Sequence, residues 1–246
     1  MHQTLAAVAD DRRFFTGMAF LALIVVLAGF GNTYYFWPWT QATLHPSGQP
    51  VAASLAPAVH LHAVAFTAWM VLFIVQVGLV SRNEVRAHRR LGRAMAWLVP
   101  ALLVTGVVTA IGGARNGWNP GGPFRDALAF LIVGLFDLLV FGVLTGAALW
   151  FRRRPDLHKR LMLLGTLGGL MWPAITRIPF LAGRFLPMFS VLTLLVLAPA
   201  IRDFVIGART RWMSLLVGVA ILLMLPLRAV VGNSGWWRSI ATWLIQ

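Results

Sequence analysis

Apolar residues arrive along this chain in long blocks, and short polar clusters separate them. A helix needs about 20 consecutive apolar residues to cross the hydrocarbon core of a bilayer. Seven blocks approach that length: residues 14–35, 58–80, 93–113, 126–151, 161–181, 187–206 and 211–231. The fifth is interrupted by Pro173, Arg177 and Pro179. The sixth is shortened by Pro199 and the Arg202–Asp203 pair, and on apolar length it is the weakest. Proline inside a span is tolerated where neighbouring helices satisfy the freed carbonyls. The pattern predicts an all-α integral membrane protein, a single transmembrane domain over residues 1–246 with about seven spanning helices. The tail, residues 234–246, carries Trp236, Trp237, Trp243, Leu244 and Ile245. It is too short to cross and reads as an interfacial helix.

Composition agrees with lipid as the solvent. The chain is 59% hydrophobic and 11% charged, with a mean hydropathy of +0.78, against about 25% charged residues in a soluble domain. A water-soluble fold of 246 residues would have to hide more apolar surface than its size allows. Arg12–Arg13 ahead of the first block gives it the look of a signal peptide. The block is long, runs into aromatic residues and lacks an A-x-A site, so it reads as an uncleaved first helix.

Charge gives the helices a direction. The N-terminal tail, the loop 82–93, the loop 152–160 and the loop 202–211 hold 15 of the 21 basic residues. Arg115, Arg125, Arg184 and Arg238 fall on the opposite side, and Arg177 and Arg228 lie within or at the edge of spans. Basic loops stay in the cytoplasm, which places the N-terminus there and the C-terminus outside. Tyr34, Tyr35, Trp37, Trp39 and Trp118 suit an outer aromatic belt, and Trp97, Trp150 and Trp212 an inner one. The net charge of +14 is scattered in clusters between apolar runs. It suits anionic headgroups of the bilayer and excludes nucleic acid as a partner, since no groove-reading motif accompanies it.

The chain has no cysteine, which excludes disulfides, thiolate catalysis and Cys-ligated metal. No phosphate-binding, dinucleotide or hydrolase motif occurs, and no dedicated metal site is expected. Polar residues inside the spans carry what chemistry there is. His62 lines up with Phe66, Trp69, Phe73 and Gln76 on one face of the second span. His62 and Gln76 then either bind a cofactor or substrate, or make interhelical hydrogen bonds. His88-Arg89-Arg90-Leu91 opens the third span, and His158-Lys159-Arg160-Leu161 opens the fifth, 70 residues later. This weak repeat brings His88 and His158 to one depth. They either ligate a haem iron from two helices or cap their helices beside headgroups. Asp137 lies near the middle of the fourth span, where a lone carboxylate must be paired, hydrogen-bonded or protonated. Arg177 is the expected partner, forming a proton, ion or substrate site or a helix-locking pair. Gly165, Gly168 and Gly169 allow close helix packing.

His60-Leu61-His62 with Phe66, Trp69, Phe73 and Gln76, then Arg86 to Arg93, then Arg154-Pro155-Asp156-Leu157-His158-Lys159-Arg160-Leu161-Met162, resemble a bacterial family of membrane proteins known as domain of unknown function 2306. The resemblance covers the second to the sixth span. It implies a multi-pass protein of the bacterial inner membrane and no particular activity. A looser similarity is to cytochrome b561-type proteins, whose paired His hold two haems. Here the outer side offers His60 and His62 on one helix only, so a single inner haem b between His88 and His158 is what that similarity implies. Three functions remain open: a haem- or quinone-linked redox protein, a proton-coupled or small-molecule transporter using Asp137 and Arg177, and a ligand-free partner of another membrane protein or of a second copy.

Overall fold

A computed structural model describes residues 5–36, 56–119 and 122–246, with side chains from residue 10 onward. Trp37 and Trp39 of the expected outer belt lie outside the described residues. The described chain is helical, with no strand. Its elements are α1 (Leu5–Phe30, prolonged by a π-helical turn Gly31–Tyr35), α2 (Pro57–Ser81), α3 (Val85–Met95), α4 (Leu98–Arg115) and α5 (Ala127–Trp150). They continue with α6 (Pro155–Leu170), α7 (Trp172–Ile175), α8 (Phe185–Val205), α9 (Arg211–Gly232) and α10 (Gly235–Ile245).

Local chemistry explains the boundaries. Pro57 and Pro155 occupy the first positions of α2 and α6, where a missing N–H leaves no bond unmade. The Asp126 side chain caps α5 by accepting from Ala129 N at 2.9 Å. Ser234 caps α10, accepting from Trp237 N at 3.3 Å. Asn83 makes the turn between α2 and α3 with φ of 63°, a left-handed conformation that Asn adopts readily.

Six helices are long and apolar enough to cross a membrane: Asp10–Tyr35, Pro57–Ser81, Val85–Arg115, Ala127–Trp150, Phe185–Val205 and Arg211–Gly232. They are apolar on their outer faces as well, where Ile24, Val64, Val104, Leu194, Leu216 and Val230 stand exposed. A helix apolar all round has no face made for water. The expected fifth span, 161–181, differs. Its helix stops at Leu170, resumes for one turn as α7, and gives way to turns before α8. Pro173 has no N–H to offer the carbonyl of Gly169 four residues back, so the helical ladder is cut there. The sixth, expected to be weakest, is an unbroken helix of 21 residues with Pro199 buried inside it.

The broken helix is the centre of the bundle. Residues 163–171 are all buried, packed by α5 on one side and by α8 and α9 on others. Glycines permit this. A Cβ on Gly169 would stand 2.6 Å from the Phe141 backbone nitrogen and 2.8 Å from the Asp137 carbonyl oxygen, and one on Gly168 would stand 2.6 Å from Ile221. Trp69 of α2 completes the centre, its ring edge-on to Phe141 at 4.8 Å and its N–H donating to Thr166 at 3.3 Å.

Ion pairs tie the helices at both ends. At the basic end Asp11 of α1 holds Lys159 of α6 at 2.5 Å and Arg202 of α8 at 2.8 Å. Beside it the buried Arg160 grips Asp203 with two bonds of 2.6 and 2.5 Å, and Ser214 donates to the same carboxylate at 2.7 Å. At the opposite end Arg115 donates to the Ile245 carbonyl at 2.7 Å, and Arg238 of α10 pairs with Asp126. Trp237 and Ala241 of α10 are buried against α5, while Trp236 and Trp243 are exposed.

Two outcomes test this packing. Gly169→Ala destabilises the protein by about 1–3 kcal/mol through overpacking, whereas Gly17→Ala, whose Cβ meets nothing within 4 Å, leaves thermal unfolding in detergent unchanged. The second concerns Asp126. Its hydrogen bond from Arg238, then that from Ala129, hold its carboxyl below the ordinary 3.8. A lowered folded value means that the link from α10 to α5 is fully present above pH 3.8 and is lost as pH falls through that lowered value. Hydrogen exchange in α10 accelerates in that acid window, and an Asp126→Asn variant exchanges fast at every pH.

Candidate functional site

Besides the buried Arg160–Asp203–Ser214 cluster, two polar centres lie in the bundle. The first sits in the middle. Asp137 is the eleventh residue of α5, about 15 Å from the Ala127 end at 1.5 Å per residue. Arg228 is four residues from the end of α9. The two helices run antiparallel, since Gly232 abuts the Ala129 carbonyl and Arg125 donates from its backbone N–H to Asn233. Side chains lean toward the N-terminus of their own helix. On antiparallel neighbours that tilt carries Asp137 and Arg228 toward each other. Arg228 Nη1 stands 2.6 Å from Asp137 Oδ1, and the side chains are 2% and 5% exposed.

The pair is neutral but under-bonded. They meet at one contact, Arg228 Nη1 to Asp137 Oδ1. Beyond it, Asp137 Oδ2 and Arg228 Nε and Nη2 have no hydrogen-bond partner among the described residues. A buried polar atom without a partner costs about 1–3 kcal/mol, and native folds rarely leave three together. Charge attraction keeps the two groups together, and much of their hydrogen-bonding capacity is left unused.

The expected partner of Asp137 was Arg177, and the structure corrects this. Counting depth along 161–181 as one helix places Arg177 near Asp137. The break after Leu170 turns the chain away. Arg177 instead donates to the Pro173 carbonyl at 2.7 Å and lies over the Phe30 ring of α1 at 5.0 Å. It caps the end of α7, where a cation offsets the exposed carbonyls. Arg228 carried a sequence signal, an Arg inside the last apolar block, but only the order of helices around the bundle could match it to Asp137.

The second centre lies at the basic end. Gln76 in the last two turns of α2, His88 in α3 and His158 in α6 come together there. The two imidazole rings are 6.3 Å apart, nearly perpendicular at 79°. With the Gln76 amide oriented so that both of its ends are satisfied, its oxygen accepts from Gly92 N–H at 2.8 Å, while its nitrogen donates to His88 Nδ1 at 2.6 Å and to the His88 carbonyl at 3.2 Å. His158 Nδ1 donates to the Ala148 carbonyl at 2.8 Å. Arg86, Arg89, Arg90 and Arg93 of α3 stay exposed around this centre. His62 is not part of it. Fourteen residues up α2, about 21 Å away, its Nδ1 bonds the Thr105 hydroxyl at 3.2 Å, in an interhelical contact to α4. Among the described residues no three His, Asp or Glu cluster as metal ligands.

The donor set decides how a haem would fit. Two axial bonds need a lone pair on each imidazole. His158 meets this condition, because its proton sits on Nδ1 and Nε2 is free. His88 does not: Gln76 donates to its Nδ1, which leaves the proton on Nε2. In that orientation the pair presents one N–H and one lone pair, which suits a proton relay better than two axial ligands.

No family model, curated protein or solved structure matches the chain. For the second centre, protein purified from haem-replete cells shows no Soret band, and a stoichiometric band would contradict the tautomer assigned to His88.

Proposed function

We propose that the protein is a multi-pass carrier of the bacterial inner membrane, moving a small polar solute coupled to protons at the Asp137–Arg228 pair. The observation that carries this reading is the under-bonded ion pair buried inside the bundle, eleven residues into a helix long and apolar enough to span a membrane. Ionisable groups at such depth mark solute, ion or proton paths. The broken helix beside it supports the same reading. Carriers place their sites where a spanning helix is interrupted near the midplane, since irregular backbone is tolerated there only inside protein or along a cavity. Gly169, three residues after the buried Thr166 and four before Pro173, packs on the Asp137 carbonyl.

In this reading the chain crosses seven times, six times as a long helix and once as the broken α6–α7 segment. The Arg-rich end faces the cytoplasm and the C-terminus lies outside. A phosphatase fused after Gln246 is then active, and one fused in the loop 206–210 is not. The His88–His158 centre favours a second reading, a quinone-linked redox protein, because its N–H and lone pair match a carbonyl and a hydroxyl. One quinone per chain in organic extracts of the purified protein would support that reading in place of a carrier.

The carrier reading is tested by thermal unfolding in detergent against a panel of small polar solutes. A bound solute stabilises the folded state by about 2.7 kcal/mol at 100 times its Kd. At least one solute raises the unfolding temperature of the wild type and does nothing for the folded Asp137→Asn/Arg228→Gln double variant. Equal shifts in both proteins would contradict the role of the pair.

A further inference from the structure

Resting on the carrier reading, the chemistry of the central pair points to the class of solute: we infer that Asp137 and Arg228 take one small carboxylate anion together with one proton. The first step is a charge argument. The pair is net neutral and both side chains are at least 95% buried. An anion added alone would leave a net charge in an apolar interior, which is strongly unfavourable. An anion added with a proton on Asp137 leaves one cation and one anion, as before.

The second step is geometric. A guanidinium offers its N–H groups in a planar fork that matches a carboxylate with two parallel bonds. Asp137 meets that fork at one contact, Nη1 to Oδ1 at 2.6 Å, and Arg228 Nε and Nη2 make no hydrogen bond among the described residues. A carboxylate on the fork gains bonds that the resident carboxylate lacks. The proton comes from water on the side of entry and goes to an oxygen of Asp137. The Asp137–Arg228 ion pair breaks, and the solute carboxylate forms two N–H···O bonds with Arg228. Release on the far side reverses each step, and Asp137 gives its proton to water there. No net charge crosses.

Other charged groups on the helices around Asp137 are engaged elsewhere. Arg115 of α4 bonds the Ile245 carbonyl. Lys159 and Arg160 of α6 hold Asp11 and Asp203, and His158 bonds Ala148. Arg238 of α10 holds Asp126. Arg211, at the far end of α9, lies near the Phe204 ring at 6.0 Å. Arg228 is therefore the charged group that answers a change on Asp137. Gly232, one turn on from Arg228, packs against the Ala129 carbonyl and Ile132, so α5 and α9 are in close contact beside the pair.

The experiment uses the full chain in liposomes, with labelled pyruvate as the anion and labelled alanine as a zwitterion. Wild type takes up pyruvate faster than empty vesicles do, and at one proton per anion it accumulates pyruvate about tenfold for each pH unit by which the inside is more alkaline. A potassium diffusion potential at constant pH gradient leaves the rate unchanged. In Asp137→Asn the guanidinium is free at every pH, so pyruvate exchange persists and the pH gradient no longer drives accumulation. Should that variant fail to fold, the swapped pair Asp137→Arg/Arg228→Asp keeps the charges and restores pH-driven uptake. Uptake that responds to the potential overturns the one-to-one coupling. Alanine uptake without pyruvate uptake overturns the solute class and leaves the carrier standing. No flux of either probe, with proton permeability unaltered by the substitutions, removes the inference and the carrier reading together.

Discussion

An ion pair buried among apolar helices has to be held by the bundle around it, and Asp137–Arg228 sets that requirement here. The carboxylate fixes α5 against α9, because among the described residues it forms an ion pair with Arg228 alone. The antiparallel run of those helices makes both side chains lean the right way. The central helix must then come close enough for Gly169 to pack on the Asp137 carbonyl, which is why glycines replace larger residues at three positions of its face. The same helix stops at Leu170, where Pro173 cuts its ladder. The Arg177 cap and the turn of α7 secure its loose end.

Much of this architecture could be read from the pattern of apolar blocks, because length and hydropathy report directly on helices that lipid can solvate. The boundaries of α5 and α9 differ from expectation by a residue or so. The fifth and sixth blocks show where such reading stops. Pro199 and the Arg202–Asp203 pair made the sixth look short, yet its proline is absorbed and Asp203 is satisfied by Arg160 and Ser214. The fifth, though marked by Pro173, Arg177 and Pro179, counts as one span on apolar content, which says nothing about whether a backbone ladder can be continuous. The same blindness misplaced the partner of Asp137. Hydropathy and depth count along one chain, whereas Arg228 meets Asp137 through the lateral order of helices.

The histidine centre was visible as a repeat but not as chemistry. Two matching entry motifs gave a shared level for His88 and His158. What they can do is set by Gln76, which sits at the far end of a different helix and decides where the proton on His88 resides. In a carrier, an imidazole pair of this kind beside an Arg-rich rim suits the passage of protons between the aqueous side and the interior. Thr145 and Thr166, both fully buried, lie on the helices that connect this end to Asp137.

The coupling of the central pair is measured most directly by a double-mutant cycle on unfolding in detergent, using Asp137→Asn, Arg228→Gln and the two together. Removing one partner of a buried pair costs about 3–5 kcal/mol, while removing both is close to neutral. The account predicts a large loss in each single variant and recovery of most of it in the double. Additive losses, with no recovery, would show that the two charges do not depend on each other and would contradict it.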